Sequence, residues 1–319
     1  MENELSLLAV EIDEPIAMHL DPREAFLAGR LTDKTRRAYR QDLEAFFTFT
    51  GVAEPSAIST DRVTAWRNSL MDAGSRPATV ARKLTTLRVF CEHLVYQKLL
   101  ERNPADTKVV KSPKVSSTSR TQGLTAGQAE RVLEEPDRTT VIGSRDYAIV
   151  KWLLYLGLRR EELCHILLDN LGEERGHRTV RITGKGGQDR VLPVKPVVWQ
   201  AALDYLEKSG RVLGQEPTHT PLFVPTRNNR TGELSKTMDT SMVWRIVKRY
   251  VKSAGIKKRI SPHSLRHTAI TLALDAGASL RQAQTFAGHK DPKTTIGYDR
   301  TRENLDKSAA HLIEIGEEA

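Results

Sequence analysis

The sequence predicts a mainly α protein in two parts: a helical N-terminal domain and a mixed α/β C-terminal domain with a small antiparallel sheet. Three observations support this class. Apolar residues recur at helical spacing from Thr32 to about Pro104 and again in the C-terminal half, and two short alternating runs flank the glycine-rich turn Gly184–Gly187. Between the halves, Lys111–Arg120 has no apolar period and is rich in Ser, Thr, Lys and Pro, as expected of an exposed linker. At 319 residues the chain is comfortable for two domains of about 150 residues each.

Taken in order, residues 1–21 mix Glu2, Glu4, Glu11, Asp13 and Glu14 with short apolar patches and are expected to form a mobile tail. The helical domain is expected over 22–110. Tyr39, Leu43, Phe46 and Phe47 follow a Thr32/Asp33 cap signal, and Ser59-Thr60-Asp61 opens a second helix with Val63, Trp66 and Leu70. Gly74 and Pro77 precede a long helix whose buried stripe is Val80, Leu84, Leu87, Cys91 and Leu94. Its other face carries Arg76, Thr79, Arg82, Lys83 and Thr86, a basic, hydroxylated surface suited to phosphates and base edges in a DNA groove, or equally to solvent. After the linker, 111–121, the second domain is expected over 122–319. Leu124–Leu133 reads as a helix start, and Arg145–Leu156 as a buried helix ended by Gly157. Thr179–Thr183 and Arg190–Val194 read as strands, and Val197–Leu206, Thr240–Ser253 and Leu265–Ala276 as helices.

Lys and Arg outnumber Asp and Glu by 49 to 40, a formal charge of +9 that favours a polyanionic partner. Cys91 and Cys164 lie far apart and outside any C-x-x-C pattern, so neither a disulfide framework nor a structural zinc site is indicated. The N-terminus lacks the positive region of a signal peptide, and the most apolar stretch, Ala148–Leu158, is interrupted by Lys151 and too short to span a bilayer. A cytoplasmic protein without a membrane partner is expected.

Chemistry concentrates near the C-terminus. An enzyme that cleaves DNA must hold the scissile phosphate, neutralise charge on its non-bridging oxygens, supply a nucleophile and protonate the leaving oxygen. Ser261–Thr268, Gly288-His289 and Tyr298 place His263, Arg266, His289 and one tyrosine within forty residues. If Pro262 marks a helix start, His263 and Arg266 share a face in the first turn, where free N–H groups also attract phosphate; His267 points elsewhere and reads as a structural histidine. Arg159 follows a Gly157 bend, with Glu162 placed to orient it. Lys185 sits at the tip of the hairpin, where glycines allow close approach to a ligand. Tyr298 is the candidate nucleophile, placed on a short helix by a Thr294-Thr295 signal. A phenol with a pKa near 10 is only about one part in a thousand ionised at pH 7, so it needs neighbouring cations or a base.

These motifs, namely Gly157-Leu158-Arg159-Arg160-Glu161-Glu162-Leu163, Gly184-Lys185-Gly186, His263-Ser264-Leu265-Arg266-His267, Gly288-His289 and Thr294-Thr295-Ile296-Gly297-Tyr298, resemble those of the tyrosine recombinases of the phage-integrase family. The resemblance covers roughly residues 30–315, and it makes the helical module similar to the family's SAM-like core-binding domain. It implies that Arg159 and Arg266 clamp the scissile phosphate and that Tyr298 attacks it to give a 3′-phosphotyrosine and a free 5′-hydroxyl. Lys185 would be the general acid toward the 5′ oxygen, His263 would assist proton transfer from the tyrosine, and His289 would hydrogen-bond a non-bridging oxygen. Neither metal nor nucleotide cofactor is implied.

The implied partner is double-stranded DNA carrying recombination sites, held in a C-shaped clamp, with accessory proteins as further partners. The amphipathic segment Asn304–Ile315, with Leu305, Ala309, Leu312 and Ile313 on one side, would dock on a neighbour to give a homo-tetramer, or pack in cis. Arg160 and Asp299-Arg300 depart from the Xer-type pattern and favour a mobile-element enzyme over a chromosome-dimer role. The acidic tail is too short for a separate arm-site domain. Two rivals stand beside the recombinase: a type IB topoisomerase and a non-catalytic DNA-binding regulator. The full set of six residues and the docking tail argue against them.

Overall fold

The computed structural model describes residues 21–30, 32–115, 122–184, 187–226 and 235–298. Residues 1–20 of the expected N-terminal tail, residues 116–121 of the expected linker, Lys185, Asp299-Arg300 and the segment Asn304–Ile315 lie outside them. The chain divides into two compact units, Met1–Ser116 and Ser117–Ala319.

In the first unit the described elements are helices α1 (Pro22–Ala28), α2 (Asp33–Thr50), α3 (Thr60–Asp72) and α4 (Pro77–Tyr96). The expected caps hold: the Thr32 and Ser59 side chains accept from the backbone N–H groups of Thr35 and Arg62, and Pro77 opens α4 where its missing N–H costs nothing. The apolar stripes meet in one core that includes Phe26, Leu43, Phe46, Trp66, Leu84, Leu87 and Phe90. Edge-to-face contacts at 5.1 Å between Phe46 and Trp66 and at 5.2 Å between Phe26 and Phe90 fix how these helices pack. Helix α1 was not legible because its seven residues are too few to show a period.

One expectation for α4 is overturned. Thr86 is 1% exposed, and its hydroxyl donates to Asp42, itself buried on α2, at 2.9 Å. Arg82 closes the same arrangement with both guanidinium nitrogens on Asp42 while its side chain stays about half exposed. A buried carboxylate demands such partners, so it draws Thr86 out of the expected DNA-facing set and into the α2–α4 contact. Arg76 and Arg82 are exposed and Thr79 and Lys83 half-buried, Lys83 with its ammonium 5.7 Å from the Trp66 ring.

The second unit begins with α5 (Ala126–Glu134) and the apolar α6 (Val141–Leu156), which Gly157 ends in the left-handed conformation at φ +58°. Next come α7 (Arg160–Cys164) and strands β1 (Leu171–Glu174), β2 (His177–Thr183) and β3 (Asp189–Pro193). Helices α8 (Pro196–Lys208), α9 (Thr240–Ser253), α10 (Pro262–Asp275), α11 (Leu280–Ala287) and α12 (Pro292–Ile296) complete the described elements. The sheet is antiparallel in the order β1-β2-β3, with Val180 opposite Leu192 and Ile182 opposite Arg190. Strand β1 escaped the sequence reading because three of its four residues are exposed and show no alternation. What builds it is a two-residue turn, Arg175-Gly176, whose φ values of +52° and +77° match the hairpin twist. The core gathers around α6, with Trp152, Leu153, Val198, Tyr205 and Ile246 among its members. The Trp152 indole donates to the Val198 carbonyl at 3.0 Å and so ties α6 to α8. Helix α10 also packs against α6, which brings Arg266 to the carbonyl of the Gly157 bend.

Candidate active site

Three positively charged side chains converge on one carboxylate. Glu162, in the first turn of α7, has a side chain only 4% exposed. It accepts from Arg159 Nη1 at 2.6 Å and from the Arg159 backbone N–H at 2.9 Å, which stitches the start of α7 to its own cap residue. Arg190 of β3 adds two donors, Nη1 to Oε1 at 3.1 Å and Nη2 to Oε2 at 2.9 Å, and Arg266 Nη1 stands 4.0 Å from Oε2. Burial pushes the Glu162 carboxyl up, but the hydrogen bonds from Arg190 and Arg159 outweigh it and hold the group below its ordinary value. One negative charge among three positive ones leaves an electrostatic demand for an anion.

Pro262 does open a helix: Ser261 caps α10 by accepting from the Ser264 N–H, so His263 and Arg266 lie in its first turn. Arg266 is 1% exposed and donates to two carbonyls, Gly157 O at 2.6 Å and Ala287 O. It thereby joins the α6 bend to the end of α11. Burial, then the neighbouring Arg159, lower its pKa to about 10, still charged at neutral pH. Arg159 Nη2 reaches Gly288 O at 3.5 Å, so both arginines meet the short connection that precedes His289. Arg159 is one-third exposed by side chain, because its outer edge faces a cleft. That cleft, of about 940 Å³, is bordered by Arg159, Gly184, Arg190, Arg281, His289 and Lys290.

His289 is half-buried, and its Nδ1 lies 2.9 Å from the Thr295 hydroxyl. Burial, then the charges of Arg266 and Arg159, push its pKa down to about 4, so the imidazole is neutral near pH 7. His263 is solvent-exposed at its side chain, yet the surrounding protein and the same two arginines also lower its pKa.

Tyr298 is 7% exposed and sits two residues past the end of α12, not on that helix as expected, since Gly297 caps it. Its ring stacks on His289 at 5.7 Å and leans on His267 at 4.8 Å, beside Ile270, Leu274, Ala283 and Ala287. His267 is therefore a neighbour of the tyrosine, though it is also the buried, hydrogen-bonded histidine expected, with Nδ1 3.2 Å from the Thr271 hydroxyl. Five of the six expected side chains are thus placed around α7, α10 and the α11–α12 connection.

Sequence reasoning missed Arg190. The signal was present: β3 alternates, with Leu192 inward and Val191 outward, so Arg190 falls at an inward position where a charge must find a partner.

Comparison with known proteins identifies the family of the chain. Residues 122–304 match the model of the phage integrase family, and residues 24–98 match the phage integrase N-terminal SAM-like domain. A tyrosine recombinase XerC from Thermodesulfovibrio yellowstonii is 33% identical over 286 residues, covering 88% of each chain. A tyrosine recombinase XerD from Pseudomonas putida is 34% identical over 283 residues, covering 86% of this chain and 88% of the relative. Among solved structures, a lambda integrase dimer bound to a COC′ core site superposes with a TM-score of 0.69 at 19% identity, covering 92% of this chain and 97% of that one. With more than half of its length matched by the family's model, the chain belongs to the phage integrase family of tyrosine recombinases.

Proposed function

We propose that the chain carries out site-specific DNA recombination by transient covalent attachment to DNA. Tyr298 Oη attacks the scissile phosphorus, forming a 3′-phosphotyrosine as the bond to the 5′ oxygen breaks. The phenolic proton leaves by way of His263, and Lys185 returns a proton to the departing 5′ oxygen. Arg159 and Arg266 balance the charge that gathers on the non-bridging oxygens, and neutral His289 donates a hydrogen bond to one of them. Attack by a 5′-hydroxyl of a second duplex reverses the step and exchanges strands through a Holliday junction. The observation that carries this reading is the excess of arginine over carboxylate around Glu162, at the edge of a cleft that also holds His289. Because Tyr298 is buried, cleavage includes a movement that bares its hydroxyl.

Residues 22–110 serve as the core-binding domain, 111–121 as the linker and 122–319 as the catalytic domain, with Arg76, Thr79, Arg82 and Lys83 facing DNA. The Asn304–Ile315 segment docks on a neighbouring copy to close a tetramer. The chain acts in the cytoplasm on double-stranded DNA, and no described helix is long and apolar enough to cross a membrane. Arg160 and Asp299-Arg300 favour integration, excision or resolution of a mobile element as the purpose.

A nicked suicide duplex carrying the recognition site tests the chemistry. The native protein should yield a covalent 3′ adduct that Tyr298→Phe abolishes. No adduct with native protein would leave a DNA-binding regulator, whereas an adduct without exchange between paired sites would favour a topoisomerase.

A further inference from the structure

We propose that Arg190 is a positioning residue for strand cleavage, fixing Glu162 so that Arg159 presents its guanidinium to the scissile phosphate. This rests on the reading of Arg159 as a phosphate clamp.

A carboxylate offers about four acceptor sites. In Glu162 four donors use them: Arg159 Nη1 and the Arg159 N–H, and Arg190 Nη1 and Nη2. Two of those four come from Arg190, whose planar fork fixes the plane of the carboxyl group. With that plane fixed, Arg159 has one low-energy direction for its own fork. Without Arg190, half of the Glu162 acceptor capacity is unmet in a nearly buried setting, and the carboxylate is free to turn toward Arg266, now 4.0 Å away. Arg159 would then lose its brace.

Two further contacts place Arg190 at the centre of the site. Gly288, whose carbonyl meets Arg159, lies so close that a Cβ there would stand 3.0 Å from Arg190 Nη1 and 3.2 Å from its Cδ. Its φ of +62° and this approach both require glycine just before His289. At the other end, a Cβ on Gly184 would stand 3.8 Å from Arg190 Nη1, so the same guanidinium lies beside the residue that follows β2. Arg190 also keeps a buried Nε with no partner among the described residues.

The test uses single-turnover cleavage of the nicked suicide duplex together with equilibrium DNA binding and thermal denaturation. Arg190→Ala and Glu162→Gln should each slow adduct formation roughly 10- to 100-fold, since a misplacement of about 1 Å at the reacting groups can cost on the order of 100-fold, while DNA affinity stays near native. If Arg190 acts through Glu162, the double variant should be no slower than the slower single variant. Guanidinium ion added to Arg190→Ala should restore part of the rate. Native cleavage by Arg190→Ala, or effects that multiply in the double variant, would overturn the proposal. Should Arg190→Ala not fold, Arg190→Lys keeps the charge but cannot bridge both oxygens, and cleavage by it at the native rate would also overturn it. Absence of any adduct with the native protein defeats the recombinase chemistry instead. A crystal structure of Arg190→Lys then decides the positioning role: Arg159 still hydrogen-bonded to Glu162 as before counts against it.

Discussion

Replacing Gly157 with alanine tests whether the bend after α6 is as tight as the site requires. Gly157 has φ +58°, a left-handed conformation that costs an L-residue roughly 1–2 kcal/mol. The added Cβ would lie 2.9 Å from Phe286 Cε1 and 3.1 Å from its Cζ, so the ring must be displaced. Overpacking of that kind costs about 1–3 kcal/mol, for a total of about 2–5 kcal/mol. Gly255→Ala separates the two contributions, because Gly255 lies in the same unit at φ +67° with nothing within 4 Å of the new Cβ. It should lose only the conformational part, about 1–2 kcal/mol. Urea denaturation of both variants reads the difference. The Gly157 carbonyl also accepts from Arg266 at 2.6 Å, so Gly157→Ala should slow cleavage of the suicide duplex while Gly255→Ala should not. Equal stability losses in the two variants would refute the claim that Phe286 and Arg266 hold the bend in a single geometry.

Thr86→Val removes one hydrogen bond to Asp42 and should lower stability by about 1 kcal/mol while leaving DNA affinity unchanged, as judged by denaturation and mobility shift. Lys83→Ala should do the converse, weakening binding across sequences and reducing the slope of log affinity against log salt by about 1. A change in affinity with Thr86→Val, or an unchanged slope with Lys83→Ala, would show the wrong residue facing DNA. His289 has a folded-state pKa of about 4 against an ordinary 6.5, so the unfolded chain takes up that proton more readily than the folded one. Its contribution to stability is present above about pH 6.5 and is lost as the pH falls through that window toward 4. An NMR titration of the DNA-free protein should place the His289 midpoint near 4, and a midpoint at or above 6.5 would be inconsistent with the arginine cluster beside it.

Local signals were strong wherever one residue type has one structural use. Thr32, Ser59 and Pro262 announced helix starts, Gly157 ended α6, and the helical spacing of Leu84, Leu87, Cys91 and Leu94 marked a buried stripe, because caps and periodicity act over a single turn. The same local logic identified Arg159, His263, Arg266, His289 and Tyr298 as candidates. It misjudged Thr86, whose surroundings are set by Asp42 on another helix, and it put Tyr298 on α12, which ends at Ile296; the burial of Tyr298 against His267 and the α10–α11 packing had no local signal.

The sequence by itself determined the two-part, mainly helical organisation and the set of groups available for phosphate chemistry, since both follow from residue type and short spacing. Only the tertiary structure decided which of those groups meet. A bend at Gly157, a helix beginning at Pro262 and a strand carrying Arg190 bring charges separated by a hundred residues of chain onto Glu162. The physical reason is that a buried carboxylate must be satisfied by whatever donors packing delivers, and of the three arginines only Arg159, three residues from Glu162, could be paired with it from spacing.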